Sequence, residues 1–151
     1  MEALRYNLED NGVADRATVL VGDCREQSGL EGKFDRISLG LLPSSEGGWE
    51  TAVKALKLEC GGCLHIHGNV AVSEIDNWAL WMSGRLVEYA PKKEWLVVVT
   101  HVERVKSFAP FVDHCVADVF VGPSWRDMET GSAGAVRADG SICYWNEAVK
   151  P

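Results

Sequence analysis

The sequence of 151 residues lacks any long apolar run. Its longest, Trp95–Thr100, is far too short to cross a bilayer, and Met1-Glu2-Ala3-Leu4-Arg5 opens neither a secretory nor an Arg/Ser-rich transit segment. Disulfide chemistry has little support. The cysteines number five, an odd count without secretory context, and this favours reduced thiols over a cross-linked framework. Positive charge is also short: 15 Lys and Arg stand against 22 Asp and Glu, a net charge of −7. The chain therefore offers no broad positive field to a phosphate backbone, and if RNA is the substrate most of the grip lies elsewhere. Gly-x-Ser-x-Gly is absent, and Ser44-Ser45 lies in a proline turn without a nucleophile elbow. There is no internal repeat at solenoid periods. These absences predict a cytoplasmic protein with no membrane span and no resident metal.

What is present is a globular mixture, 46% hydrophobic and 25% charged, enough to bury the core of one domain. Glu2–Asn11 reads as a helix closed by Asn11-Gly12. Short apolar runs at Ala17–Val21 and Phe34–Leu41 have the length of buried strands. Trp49–Leu58 is a helix delivering the chain through Gly61-Gly62 to a strand at Cys63–Val70. Ser73–Tyr89 carries Ile75, Trp78, Leu80, Trp81 and Leu86 at roughly helical spacing, and Pro91 ends it before the strand Trp95–Val102. Arg104–Pro110 reads as a link to a last strand, Asp113–Val121, that pairs antiparallel with the one before it. The expected fold class is α/β, with a domain over 1–122 and a divergent, mostly irregular tail over 123–151 whose apolar cluster is Ile142, Tyr144 and Trp145.

Cys60-Gly61-Gly62-Cys63-Leu64-His65-Ile66-His67 contains four zinc-type ligands. On a strand, however, Cys63, His65 and His67 rise along one face and do not wrap a tetrahedron, and Gly61-Gly62 is sufficiently explained as a turn. A redox Cys-x-x-Cys opens a helix, whereas this one precedes a strand. His101, His114, Trp78 and Trp81 read as core or surface residues. Arg85, Lys92, Lys93, Arg104 and Lys106 are either phosphate contacts or solvated charges flanking strands.

The carboxyl ends of strands are where open α/β sheets bind ligands. Asp23, in Gly22-Asp23-Cys24-Arg25, either accepts from a nucleobase amino group or caps a turn. In Leu39-Gly40-Leu41-Leu42-Pro43-Ser44-Ser45-Glu46 a strand runs straight into a proline turn, with a glycine where backbone and ligand can approach. That turn is either a ligand-facing segment or a packed turn capped by Ser45. Glu46 is either a working carboxylate or a first-turn acid that favours the helix dipole.

Glu2–Asn11, Gly22–Arg25, Leu39–Trp49, His65–Val70 and Val102–Pro110, in this order, resemble the carboxyl-terminal part of the catalytic domain of the tRNA wybutosine-synthesizing protein 2 family, over roughly residues 1–121. The resemblance implies a Rossmann-like class I S-adenosylmethionine-dependent transferase fold lacking its first strand–helix–strand unit. The glycine-rich loop of that unit and the family's amino-terminal substrate-recognition domains are not in this sequence. It implies transfer of the 3-amino-3-carboxypropyl group of S-adenosylmethionine to a carbon of 4-demethylwyosine, beside the anticodon of tRNA(Phe), leaving methylthioadenosine. Recognition of the tRNA anticodon loop would rest mostly on regions outside this sequence. Asp23, Cys24, Leu39, Gly40, Leu41 and Pro43 would then line the cofactor site, with Glu46 as the one candidate for proton removal. Related guanine methyltransferases typically carry Asn-Leu-Pro at the signature turn, so Leu41-Leu42-Pro43 favours aminocarboxypropyl over methyl transfer. Phe108 stands where the family more often has Tyr, and the tail after Val121 departs from the family pattern. The alternatives are an inactive remnant or protein-binding module, and a tRNA guanine N1-methyltransferase relative.

Overall fold

The computed structural model describes residues 2–123, 135–137 and 142–143. Its strands are β1 (Arg36–Leu39), β2 (Gly62–Ala71), β3 (Leu96–Ala109), β4 (Val112–Gly122), β5 (Ala135–Arg137) and β6 (Ile142–Cys143). They form one sheet in the order β1-β2-β4-β3-β5-β6. β1 and β2 are parallel, joined through helix α2 (Trp49–Ala55), and every other pairing is antiparallel. β4 inserts between β2 and β3, so these two strands run in the same direction although helix α3 (Ile75–Glu88) separates them in sequence.

Both helices cover one face of the sheet. Period-2 alternation along β2 buries Leu64, Ile66, Gly68 and Val70 on that face and leaves Cys63, His65, His67 and Asn69 half-buried on the other. Leu64 and Ile66 meet Val97 and Val99 of β3, Ala117, Val119 and Val121 of β4, and Trp49, Val53, Met82 and Leu86 of the helices in one core cluster. Two glycines are required by close approach. A Cβ on Gly61, at φ +68°, would stand 2.1 Å from the Val121 carbonyl oxygen, and one on Gly68 would stand 2.9 Å from Trp78 Cζ2. Trp78 thus packs against the core, whereas Trp81 is 44% exposed and tilted against Trp49 at 5.4 Å between ring centroids.

The expected helix at Glu2–Asn11 forms as α1 (Glu2–Asp10), but it buries no residue. Ala17–Val21 is not a strand: no described strand pairs with it, and Leu20 and Val21 lie exposed. An apolar run of that length has the propensity for extended backbone but needs a ladder partner to become a strand. The expected link Arg104–Pro110 is instead the second half of β3, because β4 supplies hydrogen-bonding partners out to Ala109↔Val112. The chain reverses at Pro110-Phe111, with Phe111 at φ 61°. Of the region 123–151, Tyr144 and Trp145 lie outside the described residues, while β5 and β6 extend the sheet beyond β3.

Candidate functional site

β1 is an edge strand, paired among the described residues with β2 alone. A cavity of about 510 Å³ runs along its other side and is lined by all four of its residues, Arg36, Ile37, Ser38 and Leu39. Gly40 and Leu41 continue the wall, Cys24 adds to the lining, and Ser45, Thr51 and Ala52 come from the start of α2 and the turn before it. The volume is in the range that holds small molecules, and the lining is apolar with a few hydroxyls, as such sites generally are. A polar cavity of about 310 Å³ adjoins it, sharing Leu30 and Thr51 and adding Arg25, Gln27, Glu31 and Lys54.

The signature turn is held in place from beneath by the end of β2. The Asn69 amide donates to the Pro43 carbonyl at 3.0 Å, and Ser44 bridges to Gly68. Ser45 is buried; its Oγ donates to the His67 carbonyl at 3.4 Å and accepts from the Trp49 indole N–H at 3.1 Å. The peptide bond between Leu42 and Pro43 is cis. The cap anticipated from Ser45 is made by Ser44 instead, whose Oγ accepts from the Glu46 amide at 3.2 Å. Ser45 is unavailable because its hydroxyl is already turned inward.

Cys24, Leu39, Gly40 and Leu41 line one cavity, as a common site requires. A Cβ on Gly48 would touch both Cys24 Sγ and Leu39 Cδ2 at 3.5 Å, which shows how closely the two segments meet. Gly40 faces open space, with nothing within 4 Å of a Cβ built on it. Pro43 and Glu46 lie outside the lining. Glu46 faces Arg85 of α3 at 3.6 Å, and Arg85 also pairs with Glu88. Asp23 lies outside the lining too. Its carboxylate accepts from the Arg25 amide at 2.9 Å and from the Arg25 guanidinium through both oxygens, which holds its pKa down at about 2. In the structure Asp23 therefore caps the turn at Cys24–Glu26.

The face of β2 and β4 away from the helices carries another polar group. His65 Nδ1 lies 2.6 Å from Asp118 Oδ1, and His67 Nδ1 lies 3.0 Å from His114 Nε2. Among the described residues, no three His, Cys, Asp or Glu side chains converge as metal ligands. Also among the described residues, no helix is long and apolar enough to cross a membrane. Sequence reasoning missed Ser45 and Trp49 as a buried latch, and Arg36, Ser38 and Thr51 as cavity lining. Only the proximity of Ser45 and Trp49 within one motif hinted at the latch, since the i, i+4 spacing that joins them crosses a turn and a helix start.

No protein-family model matches the chain. It is 46% identical over 121 residues to tRNA wybutosine-synthesizing protein 2/3/4 of Arabidopsis thaliana, covering 79% of this chain and 12% of that protein. It is 36% identical over 153 residues to the tRNA wybutosine-synthesizing protein 2 homolog of Danio rerio, covering 80% of this chain and 37% of that protein. Among solved structures it resembles Pyrococcus horikoshii TYW2 in complex with MeSAdo, with a TM-score of 0.67 and 25% identity, over 80% of this chain and 44% of that one. It also resembles Trm5b from Pyrococcus abyssi, with a TM-score of 0.60 and 28% identity, over 79% of this chain and 33% of that one. The α/β sheet is thus the Rossmann-like sheet of these transferases. The chain spans between about a tenth and two-fifths of the curated relatives' length. Over about four-fifths of its own length it belongs to the tRNA wybutosine-synthesizing protein 2 family.

Proposed function

We propose that this chain supplies the adenosine side and the target-base turn of an S-adenosylmethionine-dependent tRNA aminocarboxypropyltransferase of wybutosine biosynthesis, acting in the cytoplasm on the anticodon loop of tRNA(Phe). One observation carries the reading: the structure joins Cys24 and the Leu39–Leu41 segment, distant in sequence, in one cavity, in a chain 46% identical to a wybutosine-synthesizing protein. That P. horikoshii TYW2 was solved with MeSAdo supports the same assignment.

The cavity fits an adenosine group in size and chemistry, with Leu39, Ile37 and Ala52 for its faces and Ser38 and Thr51 for its polar atoms. When bound, S-adenosylmethionine supplies an electrophilic carbon on its sulfonium. That carbon would pass to a carbon of the demethylwyosine base, with methylthioadenosine as the leaving group and the base-carbon proton taken up by Glu46 or solvent. The residues of this chain orient rather than attack. The turn at Leu41–Ser45 is clamped to β2 by the Asn69 and His67 backbones, so it presents a fixed surface beside the cavity. Glu46, the one carboxylate of the signature turn, pairs with Arg85 at 3.6 Å and stays the candidate for proton removal.

Two tests separate the readings. Calorimetry with S-adenosylmethionine asks whether the chain binds it, and absence of binding would favour an inactive or protein-binding module. Mass spectrometry of a reaction with tRNA(Phe) carrying 4-demethylwyosine is expected to show methylthioadenosine. S-adenosylhomocysteine formed with unmodified tRNA(Phe), which carries guanine at that position, would instead support guanine methyl transfer, the second reading, which the likeness to Trm5b favours.

A further inference from the structure

The β3–β4 hairpin departs from regular pairing in a specific way. Between Arg104 and Lys106, and again between Ser107 and Ala109, the register advances by two residues on β3 and by one on β4, so Val105 and Phe108 are each left without a partner. Such bulges re-aim side chains and are over-represented beside functional sites. Here the expelled residues are apolar and exposed, Phe108 at 61%. The reversal adds Phe111, 86% exposed and held at φ 61°, a left-handed conformation that an aromatic residue rarely adopts. Three backbone irregularities thus present Val105, Phe108 and Phe111 to solvent rather than to a core.

The tip lies beside the end of β2 to which the signature turn is tied. The Val72 amide, just past the end of β2, donates to the Phe111 carbonyl at 2.9 Å, and Asn69, three residues earlier and on β2, donates to the Pro43 carbonyl. Hairpin tip and signature turn therefore flank the carboxyl end of β2, about 10 Å apart along a strand. Lys106, exposed between the two bulges, makes no ion pair among the described residues, whereas Arg104 is committed to Asp113 at 2.6 Å. With a net charge of −7, the chain cannot hold nucleic acid by a broad electrostatic field. Stacking on exposed aromatics with one local cation is the mode left to it.

We propose that the hairpin tip, through Phe108, Phe111 and Lys106, is a stacking contact for unpaired nucleobases of an RNA loop whose target base enters the adjoining site. The choice of RNA as occupant rests on the transferase reading above; the geometry of the tip does not. The test is fluorescence anisotropy with a labelled tRNA(Phe) anticodon stem–loop and a blunt RNA duplex of equal length, using the chain with Phe108→Ala and Phe111→Asn. Asn suits a left-handed residue, so Phe111→Asn keeps or raises the melting temperature. Each variant is expected to bind the stem–loop about tenfold more weakly than the parent chain, and the parent to prefer the loop to the duplex. Unchanged affinity in both variants, no binding by the parent chain, or equal affinity for the duplex overturns the proposal. So does self-association that Phe111→Asn abolishes while RNA affinity stays intact, which would make the tip a contact between protein copies. Calorimetry with methylthioadenosine runs alongside: its failure with the RNA results intact removes the transferase reading and leaves the hairpin assignment standing.

Discussion

Ser45 illustrates how much one buried hydroxyl can hold. It accepts from the Trp49 indole and donates to the His67 carbonyl, so it ties the signature turn, helix α2 and strand β2 together within one side chain's reach. Replacing it with alanine leaves a buried indole N–H without an acceptor, and we expect Ser45→Ala to cost about 1–3 kcal/mol of unfolding free energy in urea titration. A value near zero would show the latch to be incidental. Asp23 shows the opposite case. Its carboxylate is engaged by the neighbouring Arg25 and stays ionised down to about pH 2, so it is a fixed negative charge at physiological pH. From the sequence, Gly22-Asp23-Cys24-Arg25 was legible as a ligand loop or a capped turn; only the Arg25 amide donating to the Asp23 carboxylate shows the cap.

At the scale of elements, the sheet face away from the helices is where titration reaches stability. All four histidines of the chain lie on β2, β3 and β4. His67 faces His114 across the strands, with His65 beside it on β2. Asp118 of β4 is engaged by His65, and on β3 His101 pairs with Glu103, while Lys106 is in register with His114. Burial, and next the His114 and His65 imidazoles, push the His67 pKa below its ordinary value. The unfolded chain therefore binds a proton at this residue more readily than the folded chain does. Its contribution is complete above the unfolded histidine value, about 6.5, and is lost as the pH falls through and below it. Urea midpoints are expected to fall between about pH 7.5 and 5.5, and His67→Gln to flatten that slope; an equal slope in both proteins would place the dependence elsewhere. The alternation that puts Cys63, His65 and His67 on one face was legible, because period 2 follows from strand geometry alone.

For the molecule as a whole, the distinguishing feature is an edge strand whose open side is a cavity. Among the described residues β1 has a ladder partner on one side only, and the cavity runs the length of the other. A ligand that occupies it in the folded state alone stabilises the chain by mass action, about 2.7 kcal/mol at a hundred times the dissociation constant. Methylthioadenosine is expected to raise the melting temperature in a concentration-dependent way, and adenine-free thioethers are expected not to. Equal shifts from both would assign the cavity to apolar molecules generally.

The sequence by itself determined the α/β class, helices α1, α2 and α3, and the apolar strands of the core, because periodicity, glycine turns and proline stops are local properties of the chain. It also determined the family, since Leu39–Trp49 and the other motifs are specific words in a specific order. The tertiary structure decided what depends on partners distant in sequence. Ala17–Val21 remained without a strand because nothing described pairs with it, and Arg104–Ala109 became a strand because β4 does. Likewise, Ser45 left its capping role for a buried latch, and Glu46 turned towards Arg85 of α3. Hydrogen-bond ladders, burial and ion pairs are settled by which elements meet, and that information lies in the fold rather than in any one segment.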